Sequence, residues 1–166
     1  MKKLFYLLPL TLLLTACPVG LDYAPGEIGK EKINKGLEGI WQFQTDESST
    51  DAEVLKVSIK KINNTSFDVK VLSKGEMYSL DEDNFTGYET NIDGLNVLYL
   101  KPKIEEKYYC YQYKLTNKNR LEIADIALLV GGIDAVKSSE SLRKEIKASM
   151  GKSDFLKDIK TYKKDK

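Results

Sequence analysis

The 166-residue sequence contains no histidine. That excludes Ser-His-Asp triads, the common zinc sites and the usual general base near neutral pH. Carboxylate pairs and Ser-Lys arrangements remain open, but the case for a hydrolase is weak and no enzymatic activity is expected. Neither sign of charge is in excess, with 26 Lys and Arg against 25 Asp and Glu. Nothing therefore speaks for nucleic acid as a partner. The longest apolar run, residues 4–14, is about eleven residues and is interrupted by Pro9, whereas a spanning helix needs roughly twenty. Gly-rich phosphate loops, metal-ligand clusters and nucleophile elbows are all missing, so no cofactor is expected. Asp81-Glu82-Asp83-Asn84 has the start of a calcium loop, but Phe85 and Thr86 stand where Asp or Asn and then Gly are needed. A solvated acidic turn is the better reading, and no metal is expected.

The informative features begin at the amino terminus. Lys2 and Lys3 precede the apolar run, and the small residues Thr15 and Ala16 follow it, the three-part layout of a secretory signal. Leu14-Thr15-Ala16-Cys17 then resembles, residue for residue, the lipobox of bacterial lipoproteins, Leu-x-(Ala/Gly)-Cys. The resemblance implies diacylglycerol on the Cys17 sulfur, cleavage before Cys17 and, in many bacteria, acylation of the new amino terminus. Palmitate-like chains on Cys17 would anchor the protein to a membrane of the cell envelope, since two or more chains hold stably where one holds reversibly. In the enterobacterial pattern Asp after the cysteine favours the inner membrane. Pro18 stands there instead, which favours the outer membrane if the organism has one.

Loss of residues 1–16 would leave 150 residues (166 − 16), with 24 basic and 25 acidic side chains and a formal charge of −1. That is the size of one domain. With Cys17 lipidated, Cys110 is the one remaining cysteine, so the mature domain has no internal disulfide. Between Tyr109 and Tyr111 it is expected to be buried and inert. Residues 17–36 read as the lipidated cysteine and a flexible tether, punctuated by Pro18, Gly20, Pro25, Gly26, Gly29 and Gly36.

Residues 37–166 form the folded part, and from Leu37 the period becomes two. Leu37, Trp41 and Phe43 alternate; so do Leu55, Val57 and Ile59, then Phe67, Val69 and Val71, with polar partners between them. Such alternation marks half-buried antiparallel strands. Asn63-Asn64 suits a two-residue turn at positive φ, and Asp93-Gly94 is a strong hairpin signal. Lys74-Gly75 and residues 117–119 supply further turns. In residues 106–115, Tyr109, Tyr111, Tyr113 and Leu115 share one face. Leu121 and Ile123 face inward on the following strand. The last stretch, about residues 138–163, reads as two helices: one capped by Ser138 or Ser139 with Leu142, Ile146 and Met150 on a stripe and stopped by Gly151, and one capped by Ser153 with Phe155, Ile159 and Tyr162. Residues 137–166 carry ten basic and five acidic side chains. A helix covering the sheet explains them better than an anionic partner does.

The expected fold class is mainly β, an antiparallel β-barrel or sandwich with C-terminal α-helices. Gly39-Ile40-Trp41 opening the first strand resembles the Gly-x-Trp start of lipocalin-like barrels, and strands followed by helix are similar too. The resemblance implies that Trp41 closes the base of the barrel, a packing role favoured over ligand contact. Trp41, Tyr109, Tyr111 and Tyr113 are the candidate ligand-facing residues, although alternating tyrosines are also ordinary sheet packing. The reading is a non-enzymatic binding module for a small apolar or amphiphilic ligand, tied to the membrane through lipid on Cys17. The rival is an envelope protein-interaction factor, an accessory subunit or an inhibitor.

Overall fold

The computed structural model describes residues 20–44, 55–73 and 83–165. The apolar start, Cys17, the Lys74-Gly75 turn and Asp81-Glu82 lie outside the described residues. Eight antiparallel strands follow one another: β1 (Gly39–Phe43), β2 (Lys56–Lys61), β3 (Phe67–Ser73), β4 (Asn84–Ile92), β5 (Leu95–Pro102), β6 (Tyr109–Asn117), β7 (Arg120–Ile126) and β8 (Leu156–Lys164). Each pairs with the next, and β8 pairs with β1, so the sheet is a closed barrel rather than a sandwich. Closure leaves no strand edge unpaired.

Most strands form where the alternation places them. Asp93 and Gly94 sit at φ 50° and 92°, the doubly left-handed pair of a tight hairpin. The Asn63-Asn64 turn is built differently. Neither residue has positive φ, and the Asn63 side chain accepts from the Thr65 N–H at 2.8 Å while the Ile62 N–H reaches the Ser66 carbonyl at 3.0 Å. An Asx turn in a wider loop replaces the two-residue one.

One helix, α1 (Ser139–Ser149), lies between β7 and β8. The Ser138 hydroxyl caps it by accepting from the Ser141 N–H at 3.1 Å, and Ser141 reciprocates toward the Ser138 N–H at 2.9 Å. Gly151 follows at φ 83°, the left-handed conformation that ends helices. The second expected helix is instead β8. Asp158, at φ 48°, makes a bulge where the β7–β8 register slips between Ile123 and Asp125. An extra residue in the strand breaks the period of two, so Phe155, Ile159 and Tyr162 imitate helical spacing. Pairing with both β7 and β1 then decides in favour of the strand.

The expected tether is also different in its described part. Leu21 pairs with Tyr108, and Leu21, Ala24, Pro25 and Ile33 are buried. Residues 21–31 cross the outer face of β4 and β5, where Arg143 of α1 donates to the Pro25 carbonyl at 2.8 Å and the Thr90 hydroxyl at 3.0 Å, and Ile33 then joins the inner core. Glycines and prolines suggest mobility only when nothing apolar between them is covered; here Leu21, Ala24 and Ile33 are.

Two cores result. Outside the barrel, α1 lays Leu142 and Ile146 against Ile92 and Val97, with Cys110 at the margin. Inside, Leu37, Trp41, Ile59, Phe67, Val69, Leu98, Tyr113, Leu121 and Tyr162 pack together. Full burial of each large apolar side chain contributes about 1.5–3 kcal/mol. Among the described residues, no buried side-chain nitrogen or oxygen lacks a hydrogen-bond partner.

Candidate functional site: the barrel interior

The two ends of the barrel differ. At one, where β1 begins and β8 ends, a 3-10 turn (Lys35–Leu37) lies across the opening. Trp41, only 1% exposed, donates its indole N–H to the Leu37 carbonyl at 2.7 Å. The Lys164 ammonium lies 5.0 Å from the Trp41 ring centroid and donates to the Gly36 carbonyl at 3.4 Å. Gly39 lets it pass: at φ 141°, a side chain there would be strained and would collide with the Lys164 stem. The Gly-x-Trp sequence thus has a local physical cause.

The same end contains a buried polar group. Glu89 accepts from the Asn34 N–H at 2.8 Å and from the Tyr113 hydroxyl at 2.6 Å. One carboxyl joins the turn to β4 and β6. Burial pushes the Glu89 carboxyl above its ordinary range, against the two hydrogen bonds that favour the charged form, and the nearby Glu31 adds to the rise. Tyr113 is shifted upward by its own burial and by the Glu89 contact.

Toward the other end, where residues 45–54 and 74–82 lie outside the described residues, the described inward side chains are less covered. Phe43, Val57, Val71, Leu100 and Ile123 are partly buried, and Tyr109, Tyr111 and Asp125 are half-buried. Register places them on one surface, with Leu100 opposite Tyr109, Leu98 opposite Tyr111, and Tyr111 opposite Asp125. Burial raises the Asp125 carboxyl, and Asp158 adds to this, although Lys160 draws it down. Burial also raises the Tyr111 hydroxyl, with Asp125 adding to it. Among the described residues these inward side chains form an apolar cup with tyrosines and one carboxyl held above its ordinary range. Eight-stranded barrels have an interior that either fills with side chains or holds one small ligand; this one does the first at its plugged end.

The four expected aromatic residues therefore divide. Trp41 and Tyr113 are packed and hydrogen-bonded at the plugged end, while Tyr109 and Tyr111 belong to the cup. Glu89 and Asp125 did not stand out in the sequence. Their signal was positional: Glu89 continues the inward series of Phe85 and Gly87, and Asp125 that of Leu121 and Ile123. Cys110 faces outward under α1, and burial pushes its thiol up to about 12. It is the free cysteine of the described residues.

A second concavity, about 800 Å³, runs over the β1–β8 seam and is lined in part by Arg120, Ile159, Thr161 and Lys163. It is open and shallow, and lies largely on the outside of the sheet. Among the described residues no cluster of three or more acidic, cysteine or histidine groups could hold a metal.

These features define a closed eight-stranded antiparallel barrel that is plugged at one end and, among the described residues, less filled toward the other. Comparison of the chain with protein-family models, curated proteins and solved structures returns no match.

Proposed function

We propose that the protein is a lipid-anchored cell-envelope lipoprotein whose lipocalin-like barrel binds a small amphiphile in its open half, without catalysing a reaction. One observation carries this reading. The inward face is densely packed at the plugged end, yet Phe43, Val57, Val71, Leu100 and Tyr111 remain partly uncovered in the cup. Uncovered apolar side chains inside a closed barrel suit an acyl chain or ring system, and the tyrosine hydroxyls and Asp125 suit a polar head. The lipobox of Leu14 to Cys17 supports the anchor.

The test is native mass spectrometry of residues 18–166 purified from the producing cell. The domain has to begin ahead of Leu21, because removing residues 21–36 would strip Asn34 from Glu89 and unplug the barrel. A bound mass of a few hundred daltons, released on denaturation and lost with Leu100→Glu, is the expected result. A bare domain that also ignores added fatty acids and phospholipids would refute it. A protein partner is the second reading, favoured by Ile159, 65% exposed beside Arg120 and Lys163 on the outer seam.

A further inference from the structure

Between β7 and α1 the chain makes a bend, residues 127–136, that turns apolar side chains outward. Leu129 is 39% exposed, Val130 58% and Ile133 47%. Other exposed isoleucines stand singly, as Ile62 does between Lys61 and Asn63 and Ile104 between Lys103 and Glu105. Single apolar side chains on a surface are ordinary, but a group of them marks a contact.

The bend is held firmly from beneath. The Glu145 carboxylate of α1 accepts from the N–H groups of Val130 at 2.9 Å, Gly131 at 2.8 Å and Gly132 at 3.3 Å. The Ser149 hydroxyl accepts from the Leu129 N–H at 2.8 Å. Gly131 permits this approach, since a Cβ there would lie 2.5 Å from the Ala135 Cβ and 3.2 Å from the Glu145 Oε2, and Gly132 turns the chain at φ 66°. Four consecutive backbone donors are thus satisfied inside the protein. A loop facing only water gains little from that, because water would serve the same groups. A loop entering a water-free layer needs it, because an unpaired N–H is costly there.

The charge around the bend suits a lipid surface. Lys137, Lys144 and Lys152 are exposed beside it, and none makes an ion pair among the described residues. Asp134 and Glu140 are the exposed carboxylates of residues 127–152. The other two cations of α1 are engaged elsewhere, Arg143 on the Pro25 carbonyl and Lys147 on Asp93. Lysine stems reach from an apolar contact up to headgroups, and lysines around apolar tips are the pattern of a segment lying in the interface of an anionic bilayer.

We infer that this bend is a membrane contact: Leu129, Val130 and Ile133 enter the acyl boundary of an anionic bilayer while Lys137, Lys144 and Lys152 meet its headgroups. The inference rests on the envelope location in the proposed function and not on a ligand in the barrel.

The experiment uses the full-length protein made in its own cell envelope and reconstituted into vesicles of phosphatidylcholine and phosphatidylglycerol brominated along their acyl chains. Val130→Trp places an indole on the bend. Ile62→Trp places one at a similarly exposed apolar position in the β2–β3 turn, and those strands stand opposite β6 and β7 in the barrel order. Buried Trp41 gives a common background. Bromine should quench the added emission of Val130→Trp by more than half and leave that of Ile62→Trp unchanged. Should Val130→Trp not fold, Ile133→Trp gives the same reading from the same bend. No quenching on the bend, or equal quenching at both positions, overturns the inference. Intact mass of the same samples reads acylation of Cys17 separately. Quenching without acyl mass removes the anchor and keeps the bend, whereas acyl mass without quenching removes the bend and keeps the anchor.

Discussion

Replacing Glu89 by Gln tests the buried carboxyl that joins the plug to the barrel. The amide keeps one oxygen to accept from the Asn34 N–H and can donate to the Tyr113 oxygen, so shape and partners are conserved while the titration is removed. Burial raises the Glu89 pKa above its ordinary value of 4.5. The folded chain therefore holds this proton more tightly than the unfolded chain. Its contribution to stability is full below the unfolded pKa and is lost as pH rises through the folded one. Each tenfold difference in proton affinity is worth about 1.4 kcal/mol. Wild type should thus weaken relative to Glu89→Gln as pH rises through and above the ordinary carboxylate range, with the difference levelling once Glu89 is ionised in both states. Urea unfolding at a series of pH values, followed by Trp41 fluorescence, measures the difference directly and cancels the other titrating groups. Glu89→Leu adds a second arm. It removes the acceptor from the buried Tyr113 hydroxyl and the partly buried Asn34 N–H and should cost about 2–5 kcal/mol, or about 2–4 °C of Tm for each kcal/mol. Parallel pH curves for wild type and Glu89→Gln would refute the argument.

Other positions have similarly definite outcomes. Gly39→Ala should cost about 1–3 kcal/mol in thermal unfolding, because it strains φ and displaces Lys164 from Trp41; an unchanged Tm would count against that closure. Burial pushes the Glu145 carboxyl up, but the Gly131, Val130 and Gly132 N–H groups and the Ser149 hydroxyl outweigh it and hold the carboxyl below its ordinary range. This group stabilises above its unfolded pKa and the benefit fades as pH falls through the folded one, so Glu145→Gln should lose stability at neutral pH and approach wild type in acid. Hydrogen exchange at residues 129–132 would rise in that variant; unchanged protection would contradict it. Ser138→Ala removes the α1 cap and should cost about 1 kcal/mol in urea unfolding. Asp125→Asn should flatten any pH dependence of amphiphile binding measured by titration calorimetry, and a profile identical to wild type would remove Asp125 from the cup.

The residues that made the fold legible were those whose chemistry is local. Alternation in Leu55, Val57 and Ile59 and in Phe67, Val69 and Val71 needed only the period of a strand, and Asp93-Gly94 needed only the twist of a hairpin. Ser138 and Gly151 marked the ends of α1 by hydrogen bonding and by φ. The barrel itself was legible only as one of two options. Whether strands close into a barrel or split into a sandwich depends on whether the last strand reaches the first, and no local pattern encodes that distance.

Tertiary structure decided the rest. The bulge at Asp158 hid β8 behind a helical spacing, and only pairing with β7 and β1 selects the strand. Residues 21–33 have the composition of a tether, but they pack against the barrel, because burial of Leu21, Ala24 and Ile33 offsets the entropy of ordering them. Tyr109, Tyr111 and Tyr113 alternate identically in sequence, yet the plug covers only the last, which divides one stripe into core and cup. The absence of histidine, the balance of charge and the Leu14-to-Cys17 motif were determined by the sequence alone, since composition and a linear motif need no fold. That Leu21 pairs with Tyr108 beside β6 is a property of three-dimensional packing.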